Sequence, residues 1–512
     1  MYTYVLAADV HGLKARSIRI EVDVRDGLPV FEMVGYLASS VKEARDRVRI
    51  AVNNLGFRFP AKRITVNLSP ANIKKDGTSF DLPIAVALLL SFGELPEDSS
   101  KDTMFIGELG LDGKVRGVNG VLAMIMKGRE DGIKRFIVPT ENVFEGAVLE
   151  DVDVIGVSDL SEAVLFLKGE KDISPVRYSF DKYMSEHRTS DDFSDIIGQS
   201  EGKFAAEIAV SGRHNMLMIG PPGSGKSMLA KRMPTIMPRL TREECLEITR
   251  IYSICGLLSK DRPLITERPF RSPHHTCTQT ALTGGGNRPR PGEITLAAKG
   301  ILFLDELPEY AKSTIEVLRQ PMEEGHVTVS RLNGSEDYPC DCIFMAAMNP
   351  CRCGFFPDRN RCRCTIGEIH KYLDKVSEPL LDRMDIGVEL KVPAFGLYEK
   401  AGESSAEIRE RVEKTMGIQQ KRYACETFSY NGELPMRDME KYCPLGKEEM
   451  DCLRDFFEDE ECSMRRLTRI VRVARTIADR EGERDISSDH IALAISLRSI
   501  SKKYWGGERY GY

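Results

Sequence analysis

Four residues, in a fixed order along the chain, have the types needed to handle a phosphate chain: Lys226, Ser227, Asp305 and Glu306. The first two close the run Gly220-Pro221-Pro222-Gly223-Ser224-Gly225-Lys226-Ser227, which has the form G-x-x-x-x-G-K-S. Apolar residues Met216 to Ile219 precede the run and a helix-forming stretch follows it, so the order reads strand, loop, helix. In that setting the glycines let backbone N–H groups turn inward around phosphates, and the helix N-terminus adds its positive end. Lys226 then reaches the outer phosphates of a nucleoside triphosphate, and the Ser227 hydroxyl ligates Mg²⁺. A chance glycine-rich turn would lack the flanking strand and helix.

Downstream, ILFLDE places four apolar residues before Asp305 and Glu306. A buried strand delivers its last side chains to the sheet edge, where ligands bind in open α/β folds. There Asp305 would hold the Mg²⁺ and Glu306 would position and polarise the attacking water. A further strand, IFMAAMNP, ends in Asn349, whose amide could hold the same water; asparagine before proline is also an ordinary turn signal.

Directly after Asn349 come Cys351, Cys353, Cys362 and Cys364, a C-x-C pair repeated after eight intervening residues. Four thiolates complete a tetrahedral set for structural Zn²⁺, with Gly354 and Pro357 suited to a tight knuckle. An iron–sulfur cluster or free buried thiols would use the same residues. Arg352, Arg359, Arg361 and Arg363 face one acidic residue, Asp358, within this knuckle and make it positive.

Between the phosphate loop and Asp305 lies RPFRSPHHTCTQTALTGGGNRPRPGE. It carries Arg268, Arg271, His274, His275, Arg288 and Arg290, with Phe270 as a stacking ring and Gly284 to Gly286 for mobility. Such a segment could grip a phosphate backbone. It could equally be a solvated loop. The paired histidines suggest a metal, but no carboxylate or cysteine ladder at ligand spacing accompanies them.

The elements needed to position these groups fit an α/β chain. Its 512 residues suffice for two or three cores, and a formal net charge of −6 gives no global basic field, so any nucleic-acid contact must be a local patch. The N-terminus is charged too early for a signal peptide. The longest apolar run, Leu82 to Phe92, is about half the length of a bilayer-spanning helix and reads as a buried core helix. A cytoplasmic protein is therefore expected. Residues 1–169 alternate strands, such as ITVNLSP and RFIVP, with helices, such as VKEARDRVRIAVNNLG; 170–195 read as a polar linker; 196–393 as a parallel-sheet domain; 394–512 as mostly helical. Ser404 and Glu407 have capping-box spacing, and the arginines of RRLTRIVRVARTIADR read as a solvated helix face.

The blocks FRSPHHT, LTGGGNRPRPGEITLA, ILFLDELPEY, LRQPMEEG, AAMNPC, LLDRMD, GESSAEIR and VARTIAD resemble the ComM/YifB family of magnesium-chelatase-like AAA+ ATPases over nearly the whole chain. The resemblance implies that Ile197, Gly198 and Gln199 lie near the adenine and that Asn349 is the sensor-1 residue. It implies Arg383 as an arginine finger given to a neighbour's ATP, and Arg465 as the lid's sensor-2 arginine. Residues 1–169 resemble the proteolytic domain of Lon (an S5-type α/β fold) through KDGTSFDLPIA and FIGELGLDGKVRGVNGVLAMIMKGREDGIKRFIVP. Ser79 stands at the nucleophile's place, but Leu122 stands where the lysine base belongs, so no peptidase activity is expected. Lys127 is the alternative base to weigh, but nothing in the sequence places it near Ser79.

The expected molecule is thus an N-terminal Lon-like α/β domain, an AAA+ P-loop core and a C-terminal helical lid. The family implies a homo-hexamer using ATP and Mg²⁺ to move on single-stranded or branched DNA. The alternative is a chelatase-like protein-remodelling ATPase without a DNA substrate.

Overall fold

In the computed structural model, residues 2–177, 180, 184, 191–286, 290–331, 334–392, 402–460 and 463–505 are described. The chain divides into two compact units, Met1–His187 with Thr241–Thr266, and Arg188–Leu240 with Glu267–Tyr512. Among the described residues no helix is long and apolar enough to cross a membrane.

The first unit is built on a seven-stranded sheet. Its strands are β1 (Tyr2–His11), β2 (Lys14–Arg25), β3 (Val30–Val34), β4 (Arg63–Ser69), β5 (Thr103–Phe105), β6 (Arg135–Pro139) and β7 (Asp153–Val157), in the order β3-β4-β2-β1-β5-β6-β7. The β1–β2 and β2–β4 pairs are antiparallel and the others parallel. Helix α1 (Ser39–Asn54) buries Val41, Ala44, Val48, Ala51 and Val52, the helical stripe seen in the sequence. The apolar run forms α2 (Asp81–Ser91), every residue of which is buried. Its one acid, Asp81, is held by Arg47 through bonds of 2.7 and 2.9 Å. Helix α3 (Val121–Glu130) begins after Gly120, whose φ of 82° favours glycine.

Residues 241–266, which the sequence places inside the second α/β domain, pack with this first unit. They carry α4 (Arg242–Cys255), opened by a Thr241–Glu244 capping box. The Gly120 N–H donates to Ser253 O at 3.0 Å, and a Cβ on Gly256 would meet Asn119 at 2.7 Å.

The second unit holds a five-stranded, wholly parallel sheet: β8 (Met216–Ile219), β9 (Phe270–Arg271), β10 (Ile301–Leu304), β11 (Ile343–Met348) and β12 (Ile386–Glu389), in the order β9-β10-β11-β8-β12. Strands β8, β10 and β11 are buried along their length and read as unbroken apolar runs, as parallel strands covered on both faces must. Helices α5 (Ser200–Gly212) and α6 (Lys226–Ile236) flank this sheet; α7 (Ser405–Arg422), α8 (Lys447–Glu460), α9 (Met464–Glu481) and α10 (Ser488–Ser496) follow it. The Ser404–Glu407 capping box is present. The linker expected over 170–195 ends in structure. Asp192 caps a 3₁₀ turn at Phe193–Asp195, and the buried Phe193 donates its N–H to Ser405 Oγ at 2.7 Å.

The arginines of α9 depart from the expected solvated face. Arg475 is buried and bonds Asp479 and the Glu483 and Arg484 carbonyls. Arg466 pairs with Asp382, Arg469 with Asp385 and Arg480 with Glu207. The hydrophobic stripe of this helix is flanked by cations because carboxylates of the core domain face it.

Candidate functional site

In register, Ile219 of β8 lies opposite Met348 of β11, and Leu304 of β10 opposite Ala346 of β11. The residues that follow these strands, Gly220, Asp305 and Asn349, are therefore delivered to one sheet edge. The Gly220 N–H donates to Met348 O at 3.3 Å, which fixes the loop's first residue against the third strand. Gly223 and Gly225 have φ of 79° and 88°, the left-handed region that lets the loop curl before α6 begins at Lys226. At Gly220 the constraint is space, because a Cβ would lie 2.3 Å from Leu390 O.

Lys226 is largely buried and donates Nζ to Gly220 O at 2.7 Å, Pro221 O at 3.0 Å and Asn349 Oδ1 at 3.2 Å. Burial holds its ammonium below the usual lysine range, and Asp305 opposes that shift. A triphosphate entering the loop replaces these carbonyl acceptors with charged oxygens, a stronger set of partners. Ser227 Oγ donates to Asp305 Oδ2 at 2.7 Å. This hydroxyl and carboxylate, already touching beside the ammonium, form the oxygen donor set that Mg²⁺ takes when most of its other ligands are water and phosphate.

Glu306 sits just beyond Asp305, exposed, with φ of 52°. Its backbone N–H donates to Asp305 Oδ1 at 2.9 Å. A non-glycine residue in this region is strained, and strain of this kind gathers where a side chain must be aimed. His275 Nδ1 lies 3.6 Å from Glu306 Oε2. The corner at Ile197, Gly198 and Gln199 is joined to the loop, because Gln199 Nε2 donates to Ser224 O at 2.8 Å and also to Lys391 O.

The four cysteines converge. Cys351 Sγ is 3.3 Å from Cys353 Sγ and 3.7 Å from Cys362 Sγ, Cys353 Sγ is 3.6 Å from Cys362 Sγ, and all four sulfurs lie within 4.8 Å of one another. Four sulfurs about 2.3 Å from one zinc ion stand about 3.8 Å apart in a tetrahedron. The spacing fits that set and is far from the ~2.05 Å of a disulfide. The Phe356 N–H points at Cys351 Sγ at 3.4 Å, and Arg361 and Arg359 stack over Phe355 and Phe356 at 4.0 and 5.3 Å. This knuckle touches the phosphate loop directly. Gly354, at φ 86°, packs so closely that a Cβ would meet Pro222 Cδ at 2.4 Å. Sequence reading placed the two features near each other without showing that one braces the other.

Arg383 is buried in the turn before β12. It donates Nε to Arg319 O at 3.1 Å and Nη1 to Pro379 O at 2.5 Å, and pairs through Nη2 with Glu323 at 2.7 Å. Arg465, at the start of α9, is exposed and pairs with the other oxygen of Glu323 at 3.2 Å. Glu323 was not among the residues singled out from sequence; one of two adjacent acids in LRQPMEEG carries no local signal.

The inserted segment corrects several expectations. Phe270 does not stand free as a stacking ring but stacks on Phe303 of the core at 5.8 Å. Arg268 donates to Pro238 O and Lys299 O at 2.7 and 2.8 Å. Arg271 forms a fork with Glu293 at 2.6 and 2.8 Å. Phe270 thus packs on the core, and the two arginines supply the donors that the surrounding carbonyls and carboxylate need. His274 is exposed, bonds Thr276 Oγ1 at 2.9 Å, and lies ring to ring with His275 at 4.1 Å. Arg290 is exposed on a short hairpin that pairs Gly284–Gly285 with Arg290–Pro291. Arg288 lies outside the described residues.

In the first unit Ser79 is buried, and Leu122, at the expected lysine position, is fully buried among apolar residues. Lys127 points elsewhere, pairing with Asp131 at 2.8 Å and Glu130 at 3.4 Å. Lys75, four residues before Ser79, is fully buried with Nζ on Pro70 O.

Comparison with known proteins agrees with the architecture along its length. Residues 192–396 match the family described as magnesium chelatase, subunit ChlI; residues 20–142 match subunit ChlI of Mg-chelatase; residues 402–498 match the subunit ChlI C-terminal family. The chain is 40% identical to the uncharacterized protein YifB of Salmonella typhimurium over 96% of each chain. It is 37% identical to the competence protein ComM of Haemophilus influenzae, again over 96% of each. A shorter likeness, 33% identity over 92 residues, links 18% of it to 20% of the DNA repair protein RadA of Bacillus subtilis.

Proposed function

The chain belongs to the ComM/YifB family of magnesium-chelatase-like AAA+ ATPases, and we propose that it is a ring-forming motor that uses ATP hydrolysis to move on DNA. Branch migration of recombination or natural-transformation intermediates is the action we assign to it. The observation that carries the chemistry is the meeting of Lys226, the Ser227–Asp305 pair, Glu306 and Asn349 at one sheet edge.

The loop N–H groups and Lys226 bind and orient the β- and γ-phosphates of ATP. Ser227 and Asp305 would hold Mg²⁺, which would supply positive charge against those oxygens. Glu306 takes up a proton from the attacking water, and Asn349 keeps that water in line with the phosphorus. Arg383 reaches the nucleotide of a second copy and stabilises charge as the γ-phosphoryl group departs. A homo-hexamer closes such head-to-tail contacts into a ring. The four cysteines hold one structural zinc ion that stiffens the Asn349 end of the site. The Lon-like domain serves assembly or substrate handling without cutting, since neither Leu122 nor Lys127 offers Ser79 a base.

DNA is favoured over a protein substrate by the exposed Arg290 and His274 on the inserted segment. The relatives' names add to this: one is a competence protein and one a DNA repair protein. Turnover of ATP by the purified chain, with and without single-stranded, duplex and branched DNA, tests the reading. A rise with branched or single-stranded DNA is expected; the same rate with all of them would favour the chelatase-like remodelling ATPase.

A further inference from the structure

Glu323 lies in the last turn of the short helix Arg319–Glu324 and faces two arginines. Each of its oxygens has its own guanidinium: Oε2 takes Arg383 Nη2 at 2.7 Å and Oε1 takes Arg465 Nη1 at 3.2 Å. The neighbouring acids are engaged elsewhere. Glu316 pairs with Arg319, Glu324 with Gln320, and Glu378 and Asp382 with Arg466. Two cations therefore converge on one anion and leave an excess positive charge at that point.

The two arginines come from different parts of the second unit. Arg383 is preset by the Arg319 and Pro379 carbonyls, so only one edge of its fork is turned toward Glu323. Arg465 stands at the first turn of α9 with most of its side chain in solvent. Their side-chain hydrogen bonds and ion pairs run to residues 319, 323 and 379 and, among the described residues, none runs to residues 220–227 of the same chain's phosphate loop. A carboxylate and a phosphate oxygen offer a guanidinium fork the same kind of acceptor, but the phosphate carries more charge.

We propose that Glu323 is a stand-in for the terminal phosphate of ATP bound to a second copy of this chain. It keeps Arg383 and Arg465 gathered at one point when no nucleotide faces them, and gives both up together when a loaded neighbour docks. Assembly is thereby coupled to the neighbour's nucleotide: a triphosphate displaces the carboxylate, whereas a diphosphate lacks the group that does so. Glu323 acts through the arginines and is a positioning residue. The inference rests on the trans-acting role proposed for Arg383.

Glu323→Gln keeps the side-chain shape and removes the charge. Turnover per chain is measured against protein concentration, together with ATP affinity at a dilution where chains are separate. The variant should reach half-maximal turnover at a protein concentration ~2- to 5-fold lower than wild type, about the value of one ion pair at a protein surface. ATP affinity of the separate chain should not move, and maximal turnover should not fall. In an Arg465→Ala background the same substitution should shift the half-maximal concentration less. A Glu323→Gln protein that folds with wild-type melting but shows the wild-type concentration dependence would overturn the proposal. So would a fall in maximal turnover alone, which would make Glu323 an orienting support for Arg383. Mixing Arg383→Ala with Lys226→Ala separates the two levels: rescue with a flat Glu323→Gln response removes only this inference, while absence of rescue removes the trans-acting reading beneath it.

Discussion

Lys226 and Glu306 belong to one sheet edge but have separable tasks. Lys226 already has its ammonium turned into the loop, with its charged form disfavoured by burial. Lys226→Ala should abolish ATP binding and, with it, turnover. Glu306 is exposed at the strand end, so Glu306→Gln should bind ATP normally and hydrolyse it ~10²-fold or more slowly, the usual scale for losing a general base. Equilibrium nucleotide binding and steady-state turnover, measured on both variants, check this; near-normal turnover in Glu306→Gln would remove it from the role. The residue types and spacings of this site were legible in the sequence because each sits at a strand end in a motif with a fixed chemistry. Glu323 and the Glu306–His275 approach were not, because both depend on where separate segments meet. Phe270, Arg268 and Arg271 misled for a related reason: an arginine in a glycine-rich stretch has the same local signature whether it faces a polynucleotide or an interior carbonyl.

Two braces of the second unit each answer to a chemical perturbation. The cysteine knuckle rests on Pro222 through Gly354, and it continues directly from Asn349. Protein purified without added metal should contain one zinc ion per chain, and Cys351→Ser with Cys362→Ser should lose it. Because structural zinc contributes directly to folding, that loss should raise backbone hydrogen exchange over residues 349–365 and weaken ATP binding. Iron with visible absorbance, or no metal at all, would count against it. The second brace is the contact between the turn after α5 and helix α9. His214 is buried there, with Nε2 2.7 Å from Thr476 Oγ1 and Nδ1 3.9 Å from Asp385. Burial pushes its imidazole down to about 4, and Asp385 only partly opposes this. The unfolded chain takes the proton near the ordinary value of 6.5, while the folded chain refuses it until about 4. Stability from this group is therefore complete above about 6.5 and falls as the pH drops between those values. Between pH 7 and pH 4 wild type should lose roughly 3 kcal/mol more than His214→Asn, following from ~1.4 kcal/mol per pKa unit. Urea unfolding read by the single tryptophan, Trp505, in the same unit, measures it. Equal acid sensitivity of the two proteins would show that another group governs. Helix α2 and the Ser404 capping box were readable from local pattern, whereas the pairing of α9's arginines was not, since their partners Asp385, Asp382 and Glu207 are distant in sequence.

At the scale of the whole molecule, the sequence gives the order of the parts but not their membership: residues 241–266 lie between α6 and Asp305 in the chain and fold with the first unit. A helix is read from its own periodicity, and nothing in that periodicity names the surface it will cover. The same separation between local signal and assembly governs the final prediction. Arg383 is preorganised by two backbone carbonyls of its own chain and, among the described residues, its side chain bonds none of its own phosphate loop. If a neighbour's ATP is its target, Arg383→Ala should still bind ATP and assemble, yet hydrolyse on the order of 10³-fold more slowly, the scale known for arginine fingers. Mixed with Lys226→Ala it should recover part of the wild-type rate, because one subunit then contributes the arginine and the other the intact loop. A finger acting within its own chain predicts no recovery at any mixing ratio. The DNA-dependent component should behave differently from this basal one. Stimulation by branched or single-stranded DNA should shrink steeply with added salt, since each cation on a phosphate releases a counterion. Arg290→Ala should weaken the stimulation and leave basal turnover in place. Arg271→Ala should instead lower the melting temperature, because it leaves Glu293 without its fork. DNA stimulation that persists undiminished in Arg290→Ala would move the DNA contact away from the inserted hairpin, while loss of basal turnover in that variant would show that the hairpin serves the nucleotide site.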